Sequence, residues 1–334
     1  MSVAEAPHPR EVFAYEGGQA VETAFIEALA RGRLHHAWLL TGPEGVGKAT
    51  FAYRAARRLL GARPDPDLGL LGSRPDDPVS RQVASRAHPD LLVLERAGED
   101  GKPRKFIPVD DARRLPEFFS KAPASAPYRV AIIDAVDDMN VNAANALLKT
   151  LEEPPARGVL LLVSHAPGGL IATIRSRCRR LAFPAWEEPR VQAFVQARTG
   201  LGPDDALRLA RMAKGAPGRA LSLAEEGALD ADAVAGEILA RLPDADDAAL
   251  LAVADSFRGA EGQKRFEVLF DRLADQVHAM AVESAQDGAR APVDRWAKAW
   301  ESLVALPREA EAVNLDRADA FFTAIGRLRE AARA

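Results

Sequence analysis

Gly42-Pro43-Glu44-Gly45-Val46-Gly47-Lys48-Ala49-Thr50 follows an apolar run, Ala37-Trp38-Leu39-Leu40, and opens a helical pattern from about Lys48 to Leu60. A glycine-rich turn between a strand and a helix presents backbone N–H groups and a helix N-terminus to an anion, with a lysine reaching over them. The stretch therefore reads as a phosphate-binding loop whose candidate nucleotide contacts are Gly42, Gly45, Gly47, Lys48, Ala49 and Thr50. The full pattern, G-x-x-x-x-G-K-[ST], ends in a hydroxyl that holds Mg²⁺; here that position is Ala49. Thr50 carries a hydroxyl one residue later, but a helix turns it about 100° away. The loop can cradle a phosphate and is poorly equipped to use a metal.

Outward from this loop the chain alternates. Upstream, one amphipathic helix spans about Gln19 to Arg31, and Leu34-His35-His36 leads into the first strand, with His35 and His36 read as packing residues. Downstream, the Pro/Gly/Asp-rich stretch from Gly61 to Pro89 has no clear period and reads as a loop or small excursion. Asp90 to Leu94 is of strand length, a charged break covers Gly98 to Lys105, and a helix runs from about Asp110 to Ser120, with Pro116 counting against its continuity. Strands at Arg129 to Asp134, Gly158 to Ser164 and Arg180 to Phe183 frame a helix from about Asn142 to Glu153 that Pro154-Pro155 stops. Buried strands alternating with helices predict a parallel sheet with helices on both faces, an α/β domain over residues 1–184.

From Ala185 the strand-like runs vanish and helical periodicity takes over. Candidate helices are about 187–198, 203–213, 218–226, 230–241, 246–257, 261–286, 292–304 and 313–333. The first three are short and separated by glycine-rich breaks, Thr199 to Gly202 and Lys214 to Gly218, and read as a small helical module over 185–228, followed by an all-α region over 229–334. For 334 residues, two or three domains is the expectation. The net charge of −4 shows no global basic field for nucleic acid, so any DNA contact is local. A single cysteine, Cys178, excludes a disulfide framework and a cysteine-built zinc site. No basic segment followed by an apolar core opens the chain, and its apolar runs, such as Val159 to Val163, are far shorter than the roughly 18 residues of a membrane span. A cytoplasmic protein with no membrane partner is the expectation.

Asp134 ends its strand where a P-loop nucleotidase keeps the second acidic group that helps hold Mg²⁺; the acid that usually follows, to activate water, is replaced by Ala135. Asp137 and Asp138 lie in the turn beyond it. Ser164 and His165 end the next strand, where a polar sensor of the γ-phosphate is expected, and Arg219 opens a helix of the small module from which it could reach a nucleotide. Glu152 and Glu153 crowd the C-terminal turn of their helix, where the macrodipole disfavours negative charge, and such a local inconsistency marks a functional or interface site. Ile174-Arg175-Ser176-Arg177-Cys178-Arg179-Arg180 gathers four arginines before a strand: a solvated turn, a phosphate-binding patch, or an arginine finger for a neighbouring subunit. Cys178 reads as a packed residue.

Taken together, Leu34 to Ala37, Asn142 to Pro155 and Ser176-Arg177-Cys178 resemble the clamp-loader branch of the AAA+ family, in detail over about residues 30–184. Within that branch the chain is similar to the delta-prime subunits of bacterial DNA polymerase III. The resemblance implies an AAA+ module, a helical lid and a C-terminal collar that oligomerises. It also implies a hetero-pentamer with motor (gamma/tau) subunits and a delta subunit, which loads a sliding clamp onto primed DNA. In that assembly the chain is the non-hydrolysing stator, and Arg177 is offered in trans to a motor subunit. The P-loop, with Asp134, Ser164 and Arg219, is then a vestigial or weak ATP/ADP site. Relatives carry a four-cysteine zinc module where Gly61 to Pro89 lies; without cysteines there, no zinc is expected. Arg175, Arg179 and Lys149 are candidates for DNA. The competing readings are a hydrolysing motor subunit or related AAA+ ATPase, which Ala49 and Ala135 oppose, and a small-molecule P-loop kinase, for which the Ser-Arg-Cys loop has no role.

Overall fold

The computed structural model describes residues 7–96, 104–242, 244–259, 261–286 and 290–333. Among these, five strands form one parallel sheet: β1 (Ala37–Thr41), β2 (Leu91–Glu95), β3 (Arg129–Asp134), β4 (Gly158–Ser164) and β5 (Arg179–Ala182), in the order β2-β3-β4-β1-β5. Every pairing is parallel, with Thr41 opposite Ser164 and Trp38 opposite Arg179. The continuous apolar character of the strands follows from burial on both faces. Trp38, Leu40, Val130, Ile132, Leu161 and Val163 point to one core, shared with α1 (Gln19–Ala30) and α2 (Lys48–Leu59). Their alternates Leu39, Ala131, Ile133, Leu160 and Leu162 point to the other, shared with α4 (Val109–Ser120), α5 (Val141–Glu152) and α6 (Ala172–Ser176). The expected α/β class and two-sided helical cover are thus present.

The stretch from Gly61 to Pro89 is more ordered than its sequence suggests. It holds a 3₁₀ turn (Pro66–Leu68) and α3 (Pro78–Ala84), the latter capped by Asp77, whose carboxylate accepts from Val79 N at 2.9 Å and Ser80 N at 3.1 Å. What orders it lies elsewhere in the chain. Glu22 of α1 and Arg54 of α2 form a buried ion pair at 2.8 Å, with side chains 4% and 1% exposed. Arg54 also donates to Leu68 O at 2.7 Å, and Leu71 N donates to Glu22. On the opposite side Arg54 and Arg57 donate to the carbonyls of Phe13, Val12 and Arg10, strapping the N-terminal segment to α2. No local period records such long-range bonds, which is why the stretch reads as a loop.

Most of the predicted charged break falls outside the described residues. The helix predicted near Asp110 is α4; it runs through Pro116, and Asp110 and Asp111 supply first-turn charge while the cap position is Pro108.

The remaining helices are α7 (Glu188–Thr199), α8 (Pro203–Met212), α9 (Pro217–Glu225), α10 (Ala228–Ala240), α11 (Asp247–Asp255), α12 (Gly262–Gln286), α13 (Arg290–Val313) and α14 (Arg317–Arg333). α13 continues past the predicted end near 304, through Pro307. The chain divides into two compact units: the sheet unit, Glu5–Arg198 with Ala210–Ala220, and a helical unit, Thr199–Leu209 with Leu221–Ala334. The helical unit has its own core, in which Phe257 meets Phe266 and Phe321 edge-to-face and Phe266 lies tilted against Phe270, among leucines of α11 to α14. No described helix is long and apolar enough to cross a membrane.

Removing one partner of the Glu22–Arg54 pair leaves a buried charge unmatched, which costs about 3–5 kcal/mol. Glu22→Ala is therefore expected to lower the unfolding midpoint of the full chain in urea strongly, far more than Glu27→Ala on the exposed side of α1.

Candidate functional site

The loop after β1 adopts backbone conformations that only glycine takes freely, with φ of +78° at Gly45 and +98° at Gly47, the residue that caps α2. The carboxyl ends of β1, β3 and β4 lie at the same edge of the parallel sheet. That edge collects Gly42, Gly45, Gly47, Lys48, Asp134 and Ser164 in one place, with Ala49 and Thr50 opening α2 beside them. The sheet polarity that defines ligand crevices in open α/β folds does this. Arg219 joins them by a different route. Gly218 N donates to Gly45 O at 2.8 Å, and a Cβ on Gly45 would lie 2.4 Å from Arg219 N, so the start of α9 packs directly on the loop backbone.

Two features of the loop are invisible in its own sequence. Lys48 is buried, and its ammonium donates to Gly42 O at 2.6 Å and to Pro43 O, so two of its three donors are used within the loop. Burial pulls its pKa down to about 8, against the attraction of Asp134, Glu44 and Asp137. Tyr15, from the strapped N-terminal segment, donates to Gly47 O at 3.3 Å, and its ring lies 2.9 Å from where a Gly47 Cβ would stand. Tyr15 carries no motif signal; only the arginines of α2 bring it here.

The acidic groups are also engaged. Burial pushes Asp134 up to about 6, aided by Glu95 and opposed by Lys48. Asp137 accepts from Ser164 Oγ at 2.9 Å and from His165 N at 2.7 Å, so the predicted sensor is bonded to an acid of its own chain. Asp138 is paired with Arg96 at 3.0 Å. Neither carboxylate is held ready to activate a water. Among the described residues no group of three or more His, Cys, Asp and Glu side chains could hold a metal ion.

Arg177 is not part of this cluster. It caps the C-terminus of α6 just before β5, and Arg179 lies opposite Trp38 near the start of β1. The P-loop begins four residues further along β1, roughly 13 Å at strand rise, so Arg177 stands at the other end of the sheet from its own chain's loop. It pairs with Glu152 at 3.0 Å and donates to Thr173 O at 3.1 Å. The neighbouring arginines part company: Arg175 donates to Pro167 O, Arg179 lies over the Trp38 ring and Arg180 donates to Thr41 Oγ1 at 3.0 Å. Cys178 is half-buried, its thiol pushed up to about 12 by burial, as a packed and unreactive cysteine is.

This fold and site define a P-loop α/β module with a glycine-rich loop at the carboxyl end of the sheet and a half-buried arginine, Arg177, at the other. The family model described as DNA polymerase III, delta subunit, matches residues 17–187, and the chain belongs to that family. It is 42% identical to the Pseudomonas aeruginosa DNA polymerase III subunit delta-prime over 149 residues, 45% of this chain and 43% of that one. To the Escherichia coli subunit delta-prime it is 31% identical over 198 residues, 59% and 57% of the two chains. To the Salmonella typhimurium subunit tau it is 29% identical over 270 residues, 77% of this chain and 40% of tau. The chain thus spans about half the length of these relatives.

Asp134 has a folded-state pKa above its ordinary value of 3.8, so the folded chain holds a proton there that the unfolded chain has lost between about pH 4 and 6. Stability from this group is highest below pH 4 and falls as pH rises to 6, after which the full penalty remains. Asp134→Asn is expected to raise stability at pH 7 by about 1–3 kcal/mol, with the gain fading toward pH 4 in chemical denaturation.

Proposed function

We propose that this chain is the delta-prime, stator subunit of a DNA polymerase III clamp loader. It acts in the cytoplasm, in a hetero-pentamer with motor (gamma/tau) subunits and a delta subunit that loads a sliding clamp onto primed DNA with ATP. It does not hydrolyse ATP itself; it supplies Arg177 as a trans arginine finger to an adjacent motor subunit. In this reading residues 1–184 are the AAA+ module, 185–228 the lid and 229–334 the collar.

One observation carries the reading: the hydrolytic end of the sheet is disarmed while the opposite end presents an arginine. Ala49 and Ala135 remove the metal hydroxyl and the catalytic acid, and Asp137 and Asp138 are tied to Ser164 and Arg96. A guanidinium at the far end of the sheet cannot serve its own loop and suits a neighbour's. The reading of the chain as a motor subunit draws on the tau relative, which matches more of this chain than the delta-prime relatives do. The same two alanines weigh against it.

The test is DNA-stimulated ATP turnover. The chain alone is expected to show none, and turnover at AAA+ motor rates would overturn the stator reading. In a loader reconstituted with motor subunits, Arg177→Ala is expected to silence the one motor site it faces, a finger being worth about 10³–10⁵ in rate, while assembly by size exclusion is unchanged.

Nucleotide at Gly42–Thr50, with Asp134, Ser164 and Arg219, is expected to bind weakly, because phosphate must compete with two loop carbonyls for Lys48. Fluorescent-nucleotide titration should give a Kd weaker than about 1 μM, and Lys48→Ala should change it by less than about tenfold.

A further inference from the structure

Glu152 occupies the last position of α5, where the helix carbonyls already concentrate negative charge. That placement is unfavourable unless cations compensate it; Lys149 lies in the same last turn, and Arg177 is the cation paired with Glu152. One terminal nitrogen of its guanidinium meets Glu152 Oε1 at 3.0 Å and the other donates to Thr173 O at 3.1 Å. Both ends of the fork are therefore occupied by the chain's own atoms. The three neighbouring arginines bond instead to a carbonyl, a hydroxyl and an indole face, so of this cluster Arg177 is the member set against a carboxylate. The pair is open to solvent, with side chains 36% and 52% exposed, which keeps it weak and readily exchanged. A γ-phosphate carries more charge and offers the same bidentate geometry, so it displaces a single carboxylate oxygen.

We propose that Glu152 is a positioning residue for Arg177: it holds the guanidinium on its own chain until a partner's nucleotide phosphate displaces it. This rests on the reading of Arg177 as a trans finger. Glu152 then acts as a competitor for the arginine, lowering the affinity of the loader for ATP without entering the transition state. It also keeps an exposed guanidinium from pairing with other anions, nucleic-acid phosphates among them, before a motor subunit is loaded. The misplaced charge at the end of α5 has a role in this account, and the share of its cost that Arg177 offsets is lost when Arg177 leaves.

The experiment uses the loader reconstituted with motor subunits, comparing Glu152→Gln, Arg177→Ala, the double variant and Glu153→Gln, a control that removes the adjacent charge. The readouts are kcat and KM for ATP in DNA-stimulated turnover, at low and high salt. Removing the competitor is expected to lower KM about two- to fivefold, the range of an exposed ion pair, with kcat unchanged. The effect should shrink at high salt, and Glu152→Gln should be silent in the Arg177→Ala background. The inference is overturned, with the finger intact, if Arg177→Ala lowers turnover while Glu152→Gln leaves KM unchanged or raises it. It is likewise overturned if Glu153→Gln produces the same shift. If Arg177→Ala itself has no effect, the finger reading fails and this inference with it.

Discussion

A parallel sheet has a direction, and the rest of this structure depends on that constraint. Because β1, β3 and β4 run the same way, their carboxyl ends share one edge, and the segments that leave them must meet there. The P-loop after β1, Asp134 at the end of β3 and Ser164 at the end of β4 need no further contrivance to become neighbours. The same polarity sends the C-terminal ends of the returning elements, α5 and α6, to the opposite edge. The P-loop cluster and Arg177 are therefore separated by the length of the strands.

At the carboxyl end of the sheet the charged groups are engaged within the chain. Lys48 donates to two carbonyls of its own loop, and burial pushes the Asp134 carboxyl up to about 6. Asp137 holds together the ends of β3 and β4 through Ser164 and His165, a structural use of a carboxylate in a place where catalysis would require a free one. A loop without its metal-binding hydroxyl retains the glycine geometry because that geometry also packs α9 and Tyr15. Gly45 meets the backbone of Arg219, which leaves no room for a side chain, and Gly47 lies against the Tyr15 ring with a positive φ, so both glycines have a structural reason that does not depend on nucleotide.

At the other edge the anomaly visible in sequence, two glutamates at a helix C-terminus, has a tertiary counterpart in Arg177. Local rules are broken where a distant group repairs them. The stretch from Gly61 to Pro89 shows the same principle in a structural setting, since its order comes from Glu22 and Arg54 on two other helices.

The sequence by itself determined the strands and most helices, because two-sided burial writes continuous apolar runs and helical burial writes a 3.6-residue period. It also determined the P-loop, since a glycine-rich turn between strand and helix has a local geometry, and it showed Ala49 and Ala135 where the P-loop pattern calls for a hydroxyl and an acid. Tertiary structure alone decided that Ser164 belongs to Asp137, that Tyr15 sits on Gly47, that α9 lies on Gly45 and that Arg177 is held by Glu152. These are contacts between residues 25 to 173 positions apart. Their partners are chosen by how the layers stack, and no periodicity along the chain encodes that.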